Sequence, residues 1–344
     1  MLNTMPRSPA RRRSISALGA TALGALLPLG FSTTAARAAE PAAWPAKTVR
    51  IVVPYAPGGT SDAVSRLLAE RLQAALGQPF VVETKPGAAG TTGMDAVAKS
   101  APDGHTLAFA AISPLTLNPH LQPRLPYDPL KDIAPVAQVM FSPVYLMATP
   151  AFSGRSFADA LAQAKAKPGQ IAMASSGMGS IGHLMTEQIG RKAGVPRLFN
   201  HIPYKGGGQV TNDALGGQFE LFTANPSPAL NAQITSGKLR VLAVGAPQRL
   251  AHLPEVPTLA ELGFAEANMN SLFGLFAPAR TPRELQAKIN AEINKLLAAK
   301  DVQERLLALD NVVSPASVEA FAARVQREHE ANARLVREAG IKLD

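Results

Sequence analysis

Residues 51–62 read Ile51-Val52-Val53-Pro54-Tyr55-Ala56-Pro57-Gly58-Gly59-Thr60-Ser61-Asp62. A β-branched run that begins at Val49 stops at a Pro/Gly turn. The apolar positions that follow, Val64, Leu67, Leu68, Leu72 and Leu76, carry a helical period,. Thr60, Ser61 and Asp62 are N-cap residue types at the start of that helix. Such a turn leaves several backbone N–H groups converging on one small volume, with the helix dipole behind them, and favours an anion there. Gly58 and Gly59 permit close backbone approach.

Working outward, strand-like runs at 49–53, 80–83, 106–111, 136–140, 144–148, 171–174, 199–202, 219–223, 239–244 and 272–276 alternate with helical patterns. The helical patterns cover 61–76, 91–99, 156–166, 181–193, 208–215, 227–236, 258–262, 282–299, 301–308 and 315–338. This alternation predicts an α/β fold with largely parallel sheets. The strand, glycine turn and helix start recur at 81–92 and at 171–184. Ligands of open α/β sheets gather where such turns leave the strands, so a cleft between two lobes is expected.

The N-terminus reads as an export signal over residues 1–38. Arg7, Arg11, Arg12 and Arg13 precede an apolar stretch from Ile15 to about Phe31, and Ala36-Arg37-Ala38 fits a small-x-small cleavage site,. Arg12-Arg13-Ser14-Ile15 has a twin-arginine flavour, so both the general secretory and the twin-arginine routes stay open. The whole chain carries 34 basic and 25 acidic residues, a net charge of +9. Without the five arginines of 1–38 the remainder has 29 basic against 25 acidic residues, a net of +4. No Lys/Arg block points to nucleic acid. There is no cysteine, so disulfides and thiol chemistry are excluded, and the histidines at 105, 120, 183, 201, 252 and 329 show no metal spacing,. No cofactor is expected.

One segment resembles known chemistry only superficially. Gly177-Met178-Gly179-Ser180-Ile181-Gly182 satisfies G-x-G-x-x-G, but it lies mid-chain and the next strand runs into His201-Ile202-Pro203 without the acid a ribose requires. No G-x-S-x-G nucleophile turn and no Gly-Lys-Ser/Thr phosphate loop is present. Ser and His near 175–183 lack an assignable third orienting group, so a hydrolase is the weaker alternative.

Eight segments in order carry a resemblance to a known family: 52–59 (Val-Val-Pro-Tyr-Ala-Pro-Gly-Gly), 83–90 (Glu-Thr-Lys-Pro-Gly-Ala-Ala-Gly), 101–107 (Ala-Pro-Asp-Gly-His-Thr-Leu), 125–129 (Leu-Pro-Tyr-Asp-Pro), 167–170 (Lys-Pro-Gly-Gln), 201–206 (His-Ile-Pro-Tyr-Lys-Gly), 254–258 (Pro-Glu-Val-Pro-Thr) and 273–278 (Phe-Gly-Leu-Phe-Ala-Pro). The mature chain resembles the substrate-binding proteins of tripartite tricarboxylate transporters, the Bug or TctC receptors. The resemblance implies a two-lobed, type II periplasmic-binding-protein fold. It implies a periplasmic, monomeric, non-enzymatic receptor that takes a small organic carboxylate in the interlobe cleft and delivers it to the large and small membrane subunits of a permease. A sensor without a transport role would have the same fold and site. Domain 1 is expected over 45–140 plus 248–344 and domain 2 over 141–247, with crossings near 136–146 and 239–247.

Ligand-contacting candidates are Tyr55, Ala56, Gly58, Gly59, Thr60, Ser61 and Asp62 in the first loop, and Ala88, Ala89 and Thr91 in the second. Ser113 follows the strand 106–111. Ser175, Ser176, Gly179, Ser180 and His183 belong to the middle turn, and Tyr204, Lys205 and Asn225 complete the set. Catalytic residues and metal ligands are not expected. The family often shows Phe-Asp-Asn-Leu-Pro-Ser where this chain has Thr223-Ala224-Asn225-Pro226-Ser227-Pro228, and an aromatic where it has Leu272. Loss of the acid at Ala224 disfavours a ligand with an ammonium group.

Overall fold

A computed structural model describes residues 44–122 and 124–339. The expected signal segment 1–38 lies outside the described residues. Among the described residues no helix is long and apolar enough to cross a membrane.

The elements run in chain order as β1 (Val49–Val53), α1 (Thr60–Leu76), β2 (Phe80–Thr84), α2 (Thr91–Ala98), β3 (Thr106–Ala111), α3 (Ser113–Thr116), α4 (Asn118–Leu121), β4 (Ile133–Ala148), α5 (Phe157–Ala166), β5 (Ala172–Ser175), α6 (Ile181–Lys192), β6 (Asn200–Pro203), α7 (Gly207–Leu215), β7 (Leu221–Ala224), α8 (Pro228–Thr235), β8 (Arg240–Gly245), β9 (Asn270–Pro278), α9 (Arg283–Leu297), α10 (Lys300–Leu307), β10 (Val312–Val313) and α11 (Val318–Ala339). The elements form the two-lobed α/β periplasmic-binding-protein fold.

The first lobe is built on β2, β1 and β3 in parallel, continued by antiparallel β9 and the first part of β4. All six residues of β3 are buried, as expected for a strand covered on both faces. α1 buries Val64, Leu68 and Leu72 against Ile51, Leu107 and Phe109. It ends at Gly77, whose left-handed φ of 69° lets its N–H reach back to Gln73 O at 2.9 Å,.

The second lobe has β7 and β8 flanking the second half of β4 in antiparallel fashion, and β5 and β6 parallel to β7. The two strands expected at 136–140 and 144–148 are a single strand. The pairing with β9 ends at Pro143 and that with β8 begins at Val144. Pro143, in the gap between the two expected ranges, therefore sits at the join between the sheets. It lacks the N–H that a continuous ladder would require.

The helix expected over 258–262 is only a turn: Thr258 N and Oγ1 both donate to Glu261 Oε2, at 2.7 and 3.1 Å. Residues 253–267 pack through Leu253, Val256, Leu259, Phe264 and Ala267 into the second lobe's apolar clusters. The second lobe thus extends past residue 247, and the chain returns to the first lobe along β9.

Candidate functional site

Two N-terminal helix ends face each other across the lobes. In the first lobe, Gly59 is the N-cap of α1 and has no side chain with which to cap it. The first intrahelical donor is Ala63 N, 3.1 Å from Gly59 O, so the N–H groups of Thr60 and Ser61 precede the helical ladder. Gly58 N is already used, donating to Asp62 Oδ2 at 3.0 Å. In the second lobe, Ser180 caps α6 and its Oγ accepts from His183 N at 3.2 Å. The N–H groups of Ile181 and Gly182 likewise lie ahead of the ladder. α7 contributes a third end, beginning at Gly207 after the N-cap Gly206.

These ends border one cavity of about 50 Å3. Of the residues expected from sequence, Tyr55, Ala56, Gly59, Thr60, Ser61, Ala89, Ser113, Ser176, Ser180 and Asn225 line it. Ala111, Ile181, Gly182, Gly207, Ser271 and Phe273 line it as well. Ile181 and Gly182 were legible through the capping rule, since the residues after an N-cap serine carry the orphan donors. Ser271 and Phe273 alternate on β9 and so share one face. The lining contains no Lys, Arg, His, Asp or Glu, so an anion there meets amide and hydroxyl dipoles rather than a counter-charge.

The other sequence candidates lie outside the lining. Asp62 holds the first loop through Gly58 N and binds Arg66 Nε at 2.9 Å. Ala88 accepts from Gln122 Nε2 at 3.4 Å. Thr91 Oγ1 donates to Gln122 Oε1 at 3.3 Å and accepts from Asn118 Nδ2 at 3.2 Å. Tyr204 donates its hydroxyl proton to Asp213 at 2.8 Å and packs on Phe219. The Lys205 side chain is exposed, while its carbonyl accepts from Ala56 N of the opposite lobe at 2.9 Å. Gly179, at φ 88°, must be glycine: a Cβ would lie 2.3 Å from Asn118 Oδ1 of the first lobe.

Ser175 is wholly buried beneath the cradle. Its Oγ lies 2.7 Å from His201 Nε2, donates to Gly177 O and accepts from Gly177 N. The His201 ring stacks on His183 at 4.2 Å. His183 Nδ1 accepts from Gly179 N at 3.2 Å. Burial pushes His183 down to about 4. Burial, and then the neighbouring His183, push His201 down to about 3. Both rings are neutral at ordinary pH and act as packed scaffolding for the loop. Tyr55 is held against Ser113 and Ala111, and burial pushes its hydroxyl pKa up.

The two departures from the family pattern fall away from the cavity. Ala224 is buried in the second lobe's apolar cluster and Leu272 in one of the first lobe's, so neither exchange alters the lining. The case against an ammonium-bearing ligand rests instead on the lack of any lining carboxylate.

The model of the tripartite tricarboxylate transporter family receptor matches residues 64–341. Protein BugT of Bordetella pertussis is 39% identical over 316 residues, covering 91% of this chain and 96% of BugT. The solved periplasmic binding protein BugD superposes with a TM-score of 0.82 at 32% identity, covering 87% of this chain and all of BugD. A Rhodopseudomonas palustris protein solved with adipate gives a TM-score of 0.82 at 30% identity, covering 87% of this chain and all of that one. MatC of the same organism, with bound malate, gives 0.79 at 30% identity, covering 85% of this chain and all of MatC.

Proposed function

We propose that this chain, which belongs to the tripartite tricarboxylate transporter receptor family, captures a small organic carboxylate between its lobes and delivers it to the membrane subunits of a permease. The observation that carries this reading is the convergence of the α1, α6 and α7 N-termini on one cavity with no charged side chain in its lining. Amide N–H groups satisfy carboxylate oxygens, and the helix ends add favourable potential. Because no lysine or arginine grips the anion, release needs no ion pair to break.

The mechanism follows from the strands. β4 runs through both lobes, pairing with β9 up to Pro143 and with β8 from Val144, so bending it at that join is the hinge, and closure brings the helix ends together. The acid favours closure only by its higher affinity for the closed arrangement. The permease then recognises the closed shape, in the periplasm, with the receptor acting as a monomer.

A receptor fits the geometry better than a hydrolase does. The Ser175–His201 pair has hydrogen-bonding distance, but Ser175 is buried, lies outside the cavity lining, and spends its hydroxyl on Gly177. Of the hydroxyls that do line the cavity, that of Ser180 comes nearest this pair; it donates to Ser175 Oγ at 3.4 Å and accepts from His183 N, so it has no direct bond to either imidazole.

The test is a thermal-shift and calorimetric panel of dicarboxylates, tricarboxylates and aromatic monocarboxylates, with NMR of the recovered ligand. An acid at about 100 times its dissociation constant adds roughly 2.7 kcal/mol of stability. At least one acid is expected to shift the melting temperature and to return unchanged. Silence from the whole panel, or turnover of the bound acid, overturns the reading.

A further inference from the structure

Thr60 reads in sequence as a ligand donor, but its proton is already committed. Thr60 Oγ1 donates to Pro226 O at 2.7 Å in a buried bond across the cleft. Thr60 is the first residue of α1 in the first lobe, and Pro226 follows β7 in the second. A second cross-lobe bond, Ala56 N to Lys205 O at 2.9 Å, lies nearby. Around it the backbones touch: a Cβ on Gly208 would meet Pro57 O at 2.0 Å. Both Ala56 and Thr60 line the cavity.

The geometry points to Thr60 as the residue that couples ligand capture to lobe closure, its N–H turned to the acid and its hydroxyl latched to the Pro226 carbonyl. This rests on the carboxylate-receptor reading above. In that frame the hydroxyl contributes nothing directly to the ligand. It makes one bond that exists only when the lobes are together, so its loss acts on opening. A hydrogen bond present in the closed form and absent from the open one changes the rate at which the cleft releases its contents, and leaves the encounter rate unchanged. The position holds Oγ1 on a rigid helix start rather than on a flexible loop, which fixes the lobe separation at the length of one bond.

The test compares Thr60→Val, which keeps the shape and removes the hydroxyl, with Thr60→Ser, which keeps the hydroxyl. Malate and adipate are the probes, followed by stopped-flow binding and by small-angle scattering with and without acid. Thr60→Val is expected to raise the dissociation rate about fivefold, the size of one net hydrogen bond, with the association rate within twofold of wild type. Thr60→Ser is expected to match wild type on both rates. A wild-type dissociation rate in Thr60→Val, or a Thr60→Ser protein as fast as Thr60→Val, overturns the latch while leaving the receptor reading intact. If the wild-type protein binds neither acid and none of the wider panel, the receptor reading fails. The latch is then decided by ligand-free scattering: a larger radius of gyration for Thr60→Val than for wild type and Thr60→Ser upholds it, and equal radii overturn it.

Discussion

Asp62 accepts the Gly58 N–H through Oδ2 at 3.0 Å while its Oδ1 takes the Arg66 guanidinium at 2.9 Å. The carboxylate thus folds the glycine turn back onto the first turn of α1. That bond pre-sets the direction of the Gly59, Thr60 and Ser61 amides. Asp62→Ala frees the N–H of Gly58, whose φ is 86°, and removes the side chain that braces the turn within its own lobe, so more of the loop's order has to come from the ligand. The expected cost is about 1–1.5 kcal/mol, a loss of affinity of roughly five- to tenfold by calorimetry. Asp62→Asn, which keeps an acceptor oxygen, is expected to recover most of it.

A negative charge placed inside the cradle gives a sharper outcome. Gly59 lines the cavity, and a Cβ there would lie 3.3 Å from Gly208 N of the opposite lobe. Gly59→Asp puts a carboxylate into the cavity proposed to take an acid, where it repels that anion, and it props the lobes apart. Binding is expected to fall by more than a hundredfold. The circular dichroism spectrum should stay native, because the residue lies at the cleft and outside the apolar cores. Retained affinity would exclude the first loop from the site.

The buried imidazoles make stability fall on acidification. His183 and His201 lie at about 4 and about 3 in the folded protein, against an ordinary value near 6.5. Above about pH 6.5 neither state is protonated and the full stability is present. As the pH falls from there toward 4, the unfolded chain binds protons that the folded protein refuses, so stability is lost across that window. The urea midpoint is expected to drop between pH 7 and pH 5. In His201→Gln the drop should shrink. A midpoint independent of pH over this range would contradict the buried, neutral pair.

Much of this arrangement was legible before any coordinates. The β1 run, the glycine turn and the amphipathic stripe of α1 are local signals, and each half of β4 carries enough β-branched and apolar residues to be read as strand. That the halves are one strand was hidden, because Pro143 looks like a terminator when the partner change around it is unseen. The site divided in the same way. The glycine turn and the helix start after it were readable locally, but the caps were not: Gly59 rather than Thr60, Ser61 or Asp62 is the N-cap of α1, and Ser180, expected as a ligand donor, caps α6. Residues whose side chains find a partner far along the chain were not readable either. Nothing near Tyr204 announces that Asp213 takes its hydroxyl proton, and nothing near Thr60 announces Pro226 across 166 residues.

Lys205 separates the two kinds of contact directly. Its side chain is exposed and only its carbonyl reaches across the cleft, to Ala56 N. Lys205→Ala is therefore expected to leave affinity within about twofold of wild type, and binding should depend only weakly on ionic strength, since no lining cation is screened. A tenfold loss, or a steep salt dependence, would place the ammonium against the ligand.

Asn225 is expected to be the most sensitive position on the side of the cavity where β4 changes partners. Its Nδ2 donates to Pro143 O at 2.8 Å and to Ser271 Oγ at 3.1 Å, while Ser271 Oγ donates back to Asn225 Oδ1 at 3.3 Å. One amide therefore ties the end of β7 to β4 and to the start of β9, at the point where β4 changes partners. Asn225→Ala strands the Pro143 carbonyl and Ser271 together, which should cost about 2–3 kcal/mol of stability, visible as a lower urea midpoint. It also loosens the wall that Asn225 and Ser271 contribute to the cavity, so, on the proposed function, affinity should fall by tenfold or more. Asn225→Asp keeps the volume but exchanges the donor for a charge against two acceptors and the anion. It is expected to bind worse than Asn225→Ala, although it fills the space better. The reverse order would mean that the side chain serves only as packing.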